Sequence, residues 1–334
     1  MIQRPFPLAV AAAALMLAAA PPSRAEPPSF DCTHATGNVE QAICASADLS
    51  ARDRALAASF AQALTQLPED GQQALRNGQR QWLRLLHRSC DGSHRPDDGD
   101  RATWQQECLT RTYEMRQNQL DHTVERQGGL VFRRVDRFAV FPLPRTPLPY
   151  ENPATLAVSY PQLVTPDTPS RQAWNRAIAA RFDRITGDAA EDVAIDYRLG
   201  WVSPRLISLE VSDYRFGHGA AHGNETISQS HWLLEAGRPL RAGDLFLPGR
   251  DWRRAIATHC LQELSRRPRT WAESAAKLAP IAGDPARWSF GADGLTIHFD
   301  PYEVASHADG PQQVLVPWDL LRPYLVADPP VPVR

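Results

Sequence analysis

The chain has 334 residues, with 36 basic and 38 acidic side chains and a formal net charge of −2. This balance argues against a nucleic-acid-binding protein, which would carry a basic surface. The length predicts two domains rather than one.

The first 25 residues have the pattern of a secretory signal peptide. Arg4 precedes an apolar run at 8–20, and small residues ending at Ala25 form a cleavage site before Glu26. The apolar run is too short to cross a bilayer as a helix. The sequence therefore predicts a periplasmic or secreted protein, cut after Ala25, with no membrane span. Removal of Arg4 and Arg24 leaves 34 basic against 38 acidic side chains, a formal charge of −4.

Four of the five cysteines lie in the first third of the chain. Cys32, Cys44, Cys90 and Cys108 predict a disulfide framework, because an exported protein meets an oxidising environment. Four cysteines permit three pairings, and short local loops favour Cys32 with Cys44 and Cys90 with Cys108. The spacings do not match the close ligand pairs of a structural zinc site. Cys260 falls on the apolar face of a predicted helix, where we expect an inert core thiol.

From Val39 to Leu120 apolar residues recur at sums of three and four, the period of amphipathic helices. The pattern predicts a short opening helix and three longer ones. Breaks at 68–71 and 92–99 separate the second, third and last helices. A bundle of this size has a small core, so we expect the disulfides to contribute to its stability.

Several motifs of this helical region occur in a distinctive order. They are Ser29-Phe30-Asp31-Cys32, Val39-Glu40-Gln41-Ala42-Ile43-Cys44, Asp48-Leu49 with Asp53, Gln79-Arg80-Gln81-Trp82-Leu83 before Cys90, and Cys108-Leu109 before Tyr113 and Arg116. Residues 29–122 thereby resemble the N-terminal domain of the lysozyme inhibitor LprI family. The resemblance implies a helical, disulfide-bonded, exported domain and lysozyme inhibition. The chain departs from the family pattern in the polar insertion at 93–99 and in 85–89.

After residue 122 the pattern changes from helix to strand. Gly128-Gly129 breaks the helix, residues 130–141 have strand-like apolar content, and the prolines from Pro142 to Pro149 oppose regular pairing. The sequence predicts a linker and first strand at 123–150, an α+β domain at 151–326 and a flexible proline-rich tail at 327–334.

The α+β domain is predicted to contain strands and helices in alternation. The predicted elements are a strand at 156–160, a helix at 170–185, a hairpin of 193–197 with 207–211, a loop at 214–223, a strand at 227–234, a helix at 251–267, a hairpin turning at 292–294, a strand at 314–317 and a short helix at 319–325. The predicted fold class is therefore α+β with two domains: a small disulfide-bonded helical bundle, then an antiparallel sheet packed with helices.

Two further motifs characterise this second half. They are Asp213-Tyr214 leading into Gly219-Ala220-Ala221-His222-Gly223, and Phe299-Asp300-Pro301-Tyr302-Glu303-Val304 with Gly310-Pro311. With the helix before them they resemble the extracellular domain of the lysozyme-sensing anti-sigma factor RsiV, which also occurs in some peptidoglycan deacetylases. The resemblance covers about residues 150 to 325. Since no membrane span is predicted, the signalling role of that factor does not carry over.

His218 and His222 raise the question of a metal site. Imidazole suits zinc, but a four-residue spacing brings two ligands together only on a helix, and Gly219 and Gly223 oppose one here. We expect loop histidines bonded to nearby backbone; metal ligation and contact with a partner are the alternatives.

The sequence offers no clear catalytic constellation. Asp300, Glu303 and Asp309 could supply the paired carboxylates of a glycosidase, but acids are common in one polar loop. No Gly-x-Ser-x-Gly elbow is present. The prediction is a protein that is not an enzyme, with no cofactor and no metal.

A binding function fits the two resemblances. We expect an exported protein that binds a lysozyme-type peptidoglycan hydrolase and fills its cleft, using a loop that projects from a rigid sheet. The alternatives are a non-catalytic peptidoglycan-binding envelope module and a metal-dependent cell-wall enzyme built on the His218/His222 loop. The candidate binding residues are Tyr214, His218, His222, Tyr302, Glu303 and His307. They require the loop at 214–223 to lie near the loop at 302–310, although Tyr302 could instead pack on its own sheet.

Overall fold

The computed structural model describes residues 26–93, 100–142, 152–165 and 168–333. The predicted signal peptide lies outside these residues, as do most of the polar insertion at 93–99 and the prolines at 144, 147 and 149. The predicted fold class is confirmed: a disulfide-bonded helical region comes first and a mostly antiparallel sheet with helices follows.

Four helices form the N-terminal bundle: α1 (Asn38–Ala45), α2 (Ala47–Thr65), α3 (Glu69–Ser89) and α4 (Arg101–Asp121). Ser46 caps α2 by accepting a hydrogen bond from the Leu49 N–H. Disulfides join Cys32 to Cys44 and Cys90 to Cys108, the pairs that the short local loops favour. The second one fixes the end of α3 to α4, beside the buried Trp82 and Tyr113 rings.

Seven strands form the main sheet in chain order: β1 (Val124–Gln127), β2 (Leu130–Val140), β3 (Thr155–Leu163), β4 (Glu191–Val202), β5 (Leu206–Gly217), β6 (Asn224–Leu233) and β7 (Arg238–Pro239). All neighbours are antiparallel except β3 and β4. Helix α5 (Pro169–Phe182) makes the crossover that this parallel pair requires. Its buried Trp174, Ile178 and Phe182 cover one face of the sheet.

The chain ends in a smaller unit with its own core. It comprises α6 (Trp252–Ser265), α7 (Ala275–Ala282), β8 (Trp288–Phe290), β9 (Gly294–Phe299), β10 (Gln312–Pro317) and α8 (Trp318–Leu321). The three strands pair in the order β10-β9-β8, and β8 with β9 forms the predicted hairpin. Trp252, Trp288 and Phe246 pack ring against ring at its centre.

The helical bundle lies against the second face of the main sheet. Helix α3 approaches β2 so closely that a Cβ on Gly78 would lie 3.0 Å from the Asp136 carbonyl oxygen. A buried ion pair links the layers, since Arg116 of α4 donates from Nη1 to Asp136 Oδ2 at 2.6 Å. Arg134 donates to the other oxygen of the same carboxylate at 2.8 Å. The sheet therefore has helices on both faces.

Three segments differ in detail from the sequence prediction. The segment predicted as linker and first strand supplies both β1 and β2, joined at Gly128 and Gly129, whose φ angles of 57° and 76° suit a tight hairpin turn. Strand β5 extends through Tyr214 to Gly217, because its ladder with β4 continues to Glu191. The tail at 327–333 packs on the C-terminal core rather than fraying, with Val331 buried there.

Candidate functional site

Two loops meet at one end of the sheet. The loop between β5 and β6 carries His222, and the loop between β9 and β10 carries Tyr302 and His307. The ring centroids of His222 and His307 lie 4.7 Å apart, and those of Tyr302 and His307 lie 5.7 Å apart. The expected proximity of the two loops is confirmed. We call these three side chains the His-Tyr patch.

Tyr302 is the most exposed large hydrophobic side chain of the described residues, at 65%. Its φ of 71° lies in the left-handed region, which tyrosine adopts rarely. The Tyr302 N–H donates to the Ala305 carbonyl at 2.9 Å, which closes the turn that holds this conformation. The alternative that Tyr302 is buried on its own sheet is wrong. The backbone presents the ring to solvent instead.

Glu303, a predicted binding residue, does not join the His-Tyr patch. Its carboxylate accepts from Arg287 Nη2 at 3.0 Å and from the Asp300 N–H at 2.7 Å. Arg287 also forms an ion pair with Asp300, with Nη1 and Oδ2 2.6 Å apart. Asp309, the third candidate acid, is paired with Arg269 at 3.1 Å. The carboxylates considered for a glycosidase therefore hold the loop together.

Tyr214 lies on β5 and reaches across the following loop. A Cβ added to Gly223 would lie 2.3 Å from the Tyr214 hydroxyl oxygen, so only glycine allows this contact. The neighbouring Gly219 has a φ of 87°, which also favours glycine. The glycines of this loop thus serve a tight turn and a close side-chain approach. Tyr214 is adjacent to the His-Tyr patch through Gly223 and His222.

His218 is held at the edge of β4. Its Nε2 lies 3.2 Å from Asp192 Oδ2. The other oxygen of Asp192 accepts from both the N–H and the hydroxyl of Thr155 at 2.7 Å. His218 therefore fixes the loop to the sheet, whereas His222 faces the other loop.

His231, the third histidine near this loop in sequence, lies in the core. Its Nε2–H donates to the Pro285 carbonyl at 3.1 Å, and its Nδ1 accepts from the Ser208 hydroxyl at 2.9 Å. Burial lowers the pKa of His231 to about 4. In the described parts of the chain, no three His, Cys, Asp or Glu side chains are placed to hold a metal ion.

A second feature, a cleft between the bundle and the sheet, was not predicted from the sequence. It has a volume of about 400 Å³ and lies between α3, α4 and strands β2 to β5. Trp82, Trp104, Phe138 and Tyr214 line it, with Arg111 and Arg116 among the polar lining residues. The single alanines of these two strands, Ala157 on β3 and Ala194 on β4, are a sequence signal that could have pointed to it.

Two family models match the chain. Residues 32–120 match the family described as Lysozyme inhibitor LprI, and residues 243–319 match a family described as a protein of unknown function, DUF3298. The chain therefore carries an LprI domain in its N-terminal part and a DUF3298 domain in its C-terminal part. No curated protein matches the sequence.

Two solved structures of the DUF3298 family are similar to part of the chain. The one from Bacteroides fragilis is 12% identical, covers 61% of this chain and 96% of its own, and has a TM-score of 0.44. The one from Pseudomonas aeruginosa is 16% identical, covers 59% of this chain and 95% of its own, and has a TM-score of 0.42.

The two disulfides indicate an oxidising, extracytoplasmic compartment. None of the helices in the described ranges is both long and apolar enough to cross a bilayer.

Proposed function

We propose that this protein is an exported inhibitor of lysozyme-type peptidoglycan hydrolases. The observation that carries the proposal is the match of residues 32–120 to the family described as Lysozyme inhibitor LprI. The disulfides of the same region agree with export. Without the proposed signal peptide the chain has 34 basic and 38 acidic side chains. This mild negative charge favours encounter with a strongly basic lysozyme and makes the interaction sensitive to salt.

The His-Tyr patch is the surface that we propose to enter the hydrolase cleft. An exposed aromatic ring on a rigid support is a frequent energetic anchor of protein interfaces. Tyr302 has that support, because its turn is closed by a backbone hydrogen bond and its loop is held by the ion pairs of Arg287. The His307 ring lies beside Tyr302 and the His222 ring lies beside His307, and both imidazoles supply hydrogen-bonding edges.

The test is a titration of the chain from Glu26 onward against lysozyme. Calorimetry measures binding, and the clearing of a cell-wall suspension measures inhibition. The proposal predicts both at micromolar concentration, with an affinity that falls as salt is raised. The absence of heat and of inhibition at that concentration would refute it. Sedimentation with insoluble murein, without inhibition, would instead support the peptidoglycan-binding alternative.

Two variants locate the surface. Tyr302→Gly removes the proposed anchor and suits the left-handed backbone, so the fold is retained. Leu83→Ala removes an exposed apolar side chain of α3 in the LprI domain, 41% exposed, and serves as the matched control. We expect Tyr302→Gly to weaken lysozyme binding by at least about tenfold, as for a hot-spot residue. Weaker lysozyme binding by Leu83→Ala, with unchanged binding by Tyr302→Gly, would place the lysozyme surface on the helical bundle.

A further inference from the structure

One row of side chains forms the floor of the cleft between bundle and sheet. Phe138 on β2, Ala157 on β3, Ala194 on β4 and Tyr214 on β5 are registered neighbours across four strands. Registered neighbours project from the same face of a sheet. Two aromatic rings therefore stand at the ends of the row and two methyl groups in the middle, which leaves a trough.

The helices provide the walls of this trough. Trp82 comes from α3, and Trp104 and Met115 come from α4. Met115 is 54% exposed and Tyr214 is 40% exposed, so two of the large exposed apolar side chains of the described residues stand in this one cleft. A volume of about 400 Å³ lies within the range of small-molecule sites, which are mostly apolar concavities with a few polar groups.

Hydrogen-bonding capacity remains unused in the cleft. Arg116 is fully buried and lines the cleft, yet its Nη2 has no partner in the described structure. The hydroxyl of Ser89, another lining residue, is also buried without a partner there. Buried polar atoms without a partner are rare and require an explanation. A bound molecule that accepts hydrogen bonds would supply one.

The buried donors of the wall favour an anion as that molecule, because a guanidinium group donates most strongly to a charged acceptor. Arg111 lines the cleft, is exposed, and forms no ion pair with any residue that the structure describes. The carboxylate of Asp192, on the same wall as Ala194, already accepts from two Thr155 donors and lies beside His218. Glu107, four residues before Arg111 on α4, also lines the cleft and is exposed. The lining atoms that are buried without a described partner, Arg116 Nη2 and the Ser89 hydroxyl, can both donate a hydrogen bond. Guanidinium groups bind carboxylates and sulfonates well.

We propose that this cleft binds a small amphipathic anion, with an aromatic or aliphatic body over Ala157 and Ala194 and an acidic group near Arg111. The cleft adjoins the His-Tyr patch at Tyr214, but binding of a small anion there does not depend on lysozyme inhibition. It uses the part of the sheet face that the bundle leaves open beyond β2.

Two fluorescent molecules of similar shape test the proposal on the chain from Glu26 onward. Anilinonaphthalene sulfonate carries the acidic group, and N-phenylnaphthylamine lacks it. Both are expected to bind with one site and to quench tryptophan emission, because Trp82 and Trp104 line the cleft. Arg111→Gln is expected to lower the affinity for the sulfonate by about tenfold and the affinity for the neutral molecule by less than about twofold. Arg84→Gln, an exposed arginine of α3 outside the cleft, is the matched control.

A second experiment fills the cleft with a larger side chain. Ala194→Trp is expected to abolish binding of both molecules, whereas Ala194→Ser keeps the trough open and retains it. Circular dichroism and thermal melting check each fold, and Ala157→Phe narrows the same floor from β3 if Ala194→Trp unfolds. No binding by the unmodified chain, or binding that survives a folded cleft-filling variant, overturns the proposal. Equal loss of both molecules in Arg111→Gln overturns the assignment of an anion.

Discussion

The imidazole rings of His222 and His307 lie 4.7 Å apart and join two loops that belong to different sheets. His222 follows the main-sheet strand β5, and His307 precedes β10 of the small sheet. Their contact therefore spans the boundary between the two cores of the second half. Through His307 it links the exposed ring of Tyr302 to His222, which lies 80 positions earlier in the chain.

The exposure of Tyr302 leads to a prediction about stability. Its left-handed backbone costs of order 1 kcal/mol for a residue with a Cβ, and glycine avoids that cost. Because the ring is 65% exposed, its removal forfeits little burial. We therefore expect Tyr302→Gly to unfold in urea at the same midpoint as the parent or at a higher one. A lower midpoint would show that the ring stabilises its own domain, which would weaken its assignment as a binding anchor.

The ion pair between Arg116 and Asp136 supports a second prediction. Burial opposes ionisation of Asp136, but Arg134 and Arg116 outweigh it and hold the pKa of Asp136 below its usual range. Removing one member of a buried pair leaves an uncompensated charge and costs about 3–5 kcal/mol. Asp136→Asn should lower the free energy of unfolding by that amount. Asp196→Asn is the matched control, since Asp196 also pairs with Arg134 but is half exposed, and about 1 kcal/mol or less is expected there.

Urea denaturation of both variants provides the measurement. Similar, small losses of stability for the two variants would mean that the bundle does not depend on this pair for its attachment to the sheet.

The Arg116–Asp136 ion pair also limits where the chain can be divided. A cut at 125/126 would split β1 and expose the Arg116 guanidinium, so separate halves are poor reagents for assigning the lysozyme surface.

Local features of the chain were predictable, because each is encoded by neighbouring residues. The hairpin that turns at 292–294 and the helical period that includes Trp82 are of this kind. The contact between bundle and sheet was not predictable. Arg116 carries no sign of its partner Asp136, since an arginine on a helix is usually solvated and a strand acid usually faces outward.

The candidate site also combines features that the sequence predicts with features that depend on the fold. The meeting of the loops of His222 and His307 followed from two motifs that resemble one domain family. The pairing of Glu303 with Arg287 was not predictable, because Arg287 lies just before another strand and only the fold brings the two together. The cleft depends on the register that aligns Ala157 with Ala194, and periodicity alone does not specify which strands are neighbours.

Cys260 is predicted to be chemically inert in the native protein. Its side chain is fully buried on α6, and burial raises the pKa of the thiol to about 12, so the reactive thiolate is scarce at neutral pH. We expect an aromatic disulfide reagent to release no colour from the folded chain and one equivalent after denaturation. Rapid reaction of the native protein would contradict the packing of α6 on the small sheet. The mass of the modified peptide distinguishes Cys260 from a thiol released by an opened disulfide.

The buried imidazole of His231 predicts how stability depends on pH. Its folded pKa is about 4, against an ordinary value of 6.5, because burial disfavours the charged ring. The unfolded chain therefore binds this proton more readily than the folded chain. The contribution of His231 to the free energy of unfolding is fully present above about pH 6.5. It is lost as the pH falls toward 4, by about 3 kcal/mol in total. The free energy of unfolding, measured in urea at several values between pH 7 and 4.5, should fall over this window.

His231→Gln isolates the effect, since the carboxylates and the buried imidazole of His298 are present in both proteins. The variant keeps a donor for the Pro285 carbonyl and an acceptor for Ser208 but cannot take up the proton. Its stability should be lower than that of the parent at pH 7 and should fall less steeply toward pH 4.5. If the free energy of unfolding depended on pH equally in the parent and in His231→Gln, this imidazole would be in contact with water in the native state. The contact between β6 and the turn at Pro285 would then open more readily than its hydrogen bonds indicate.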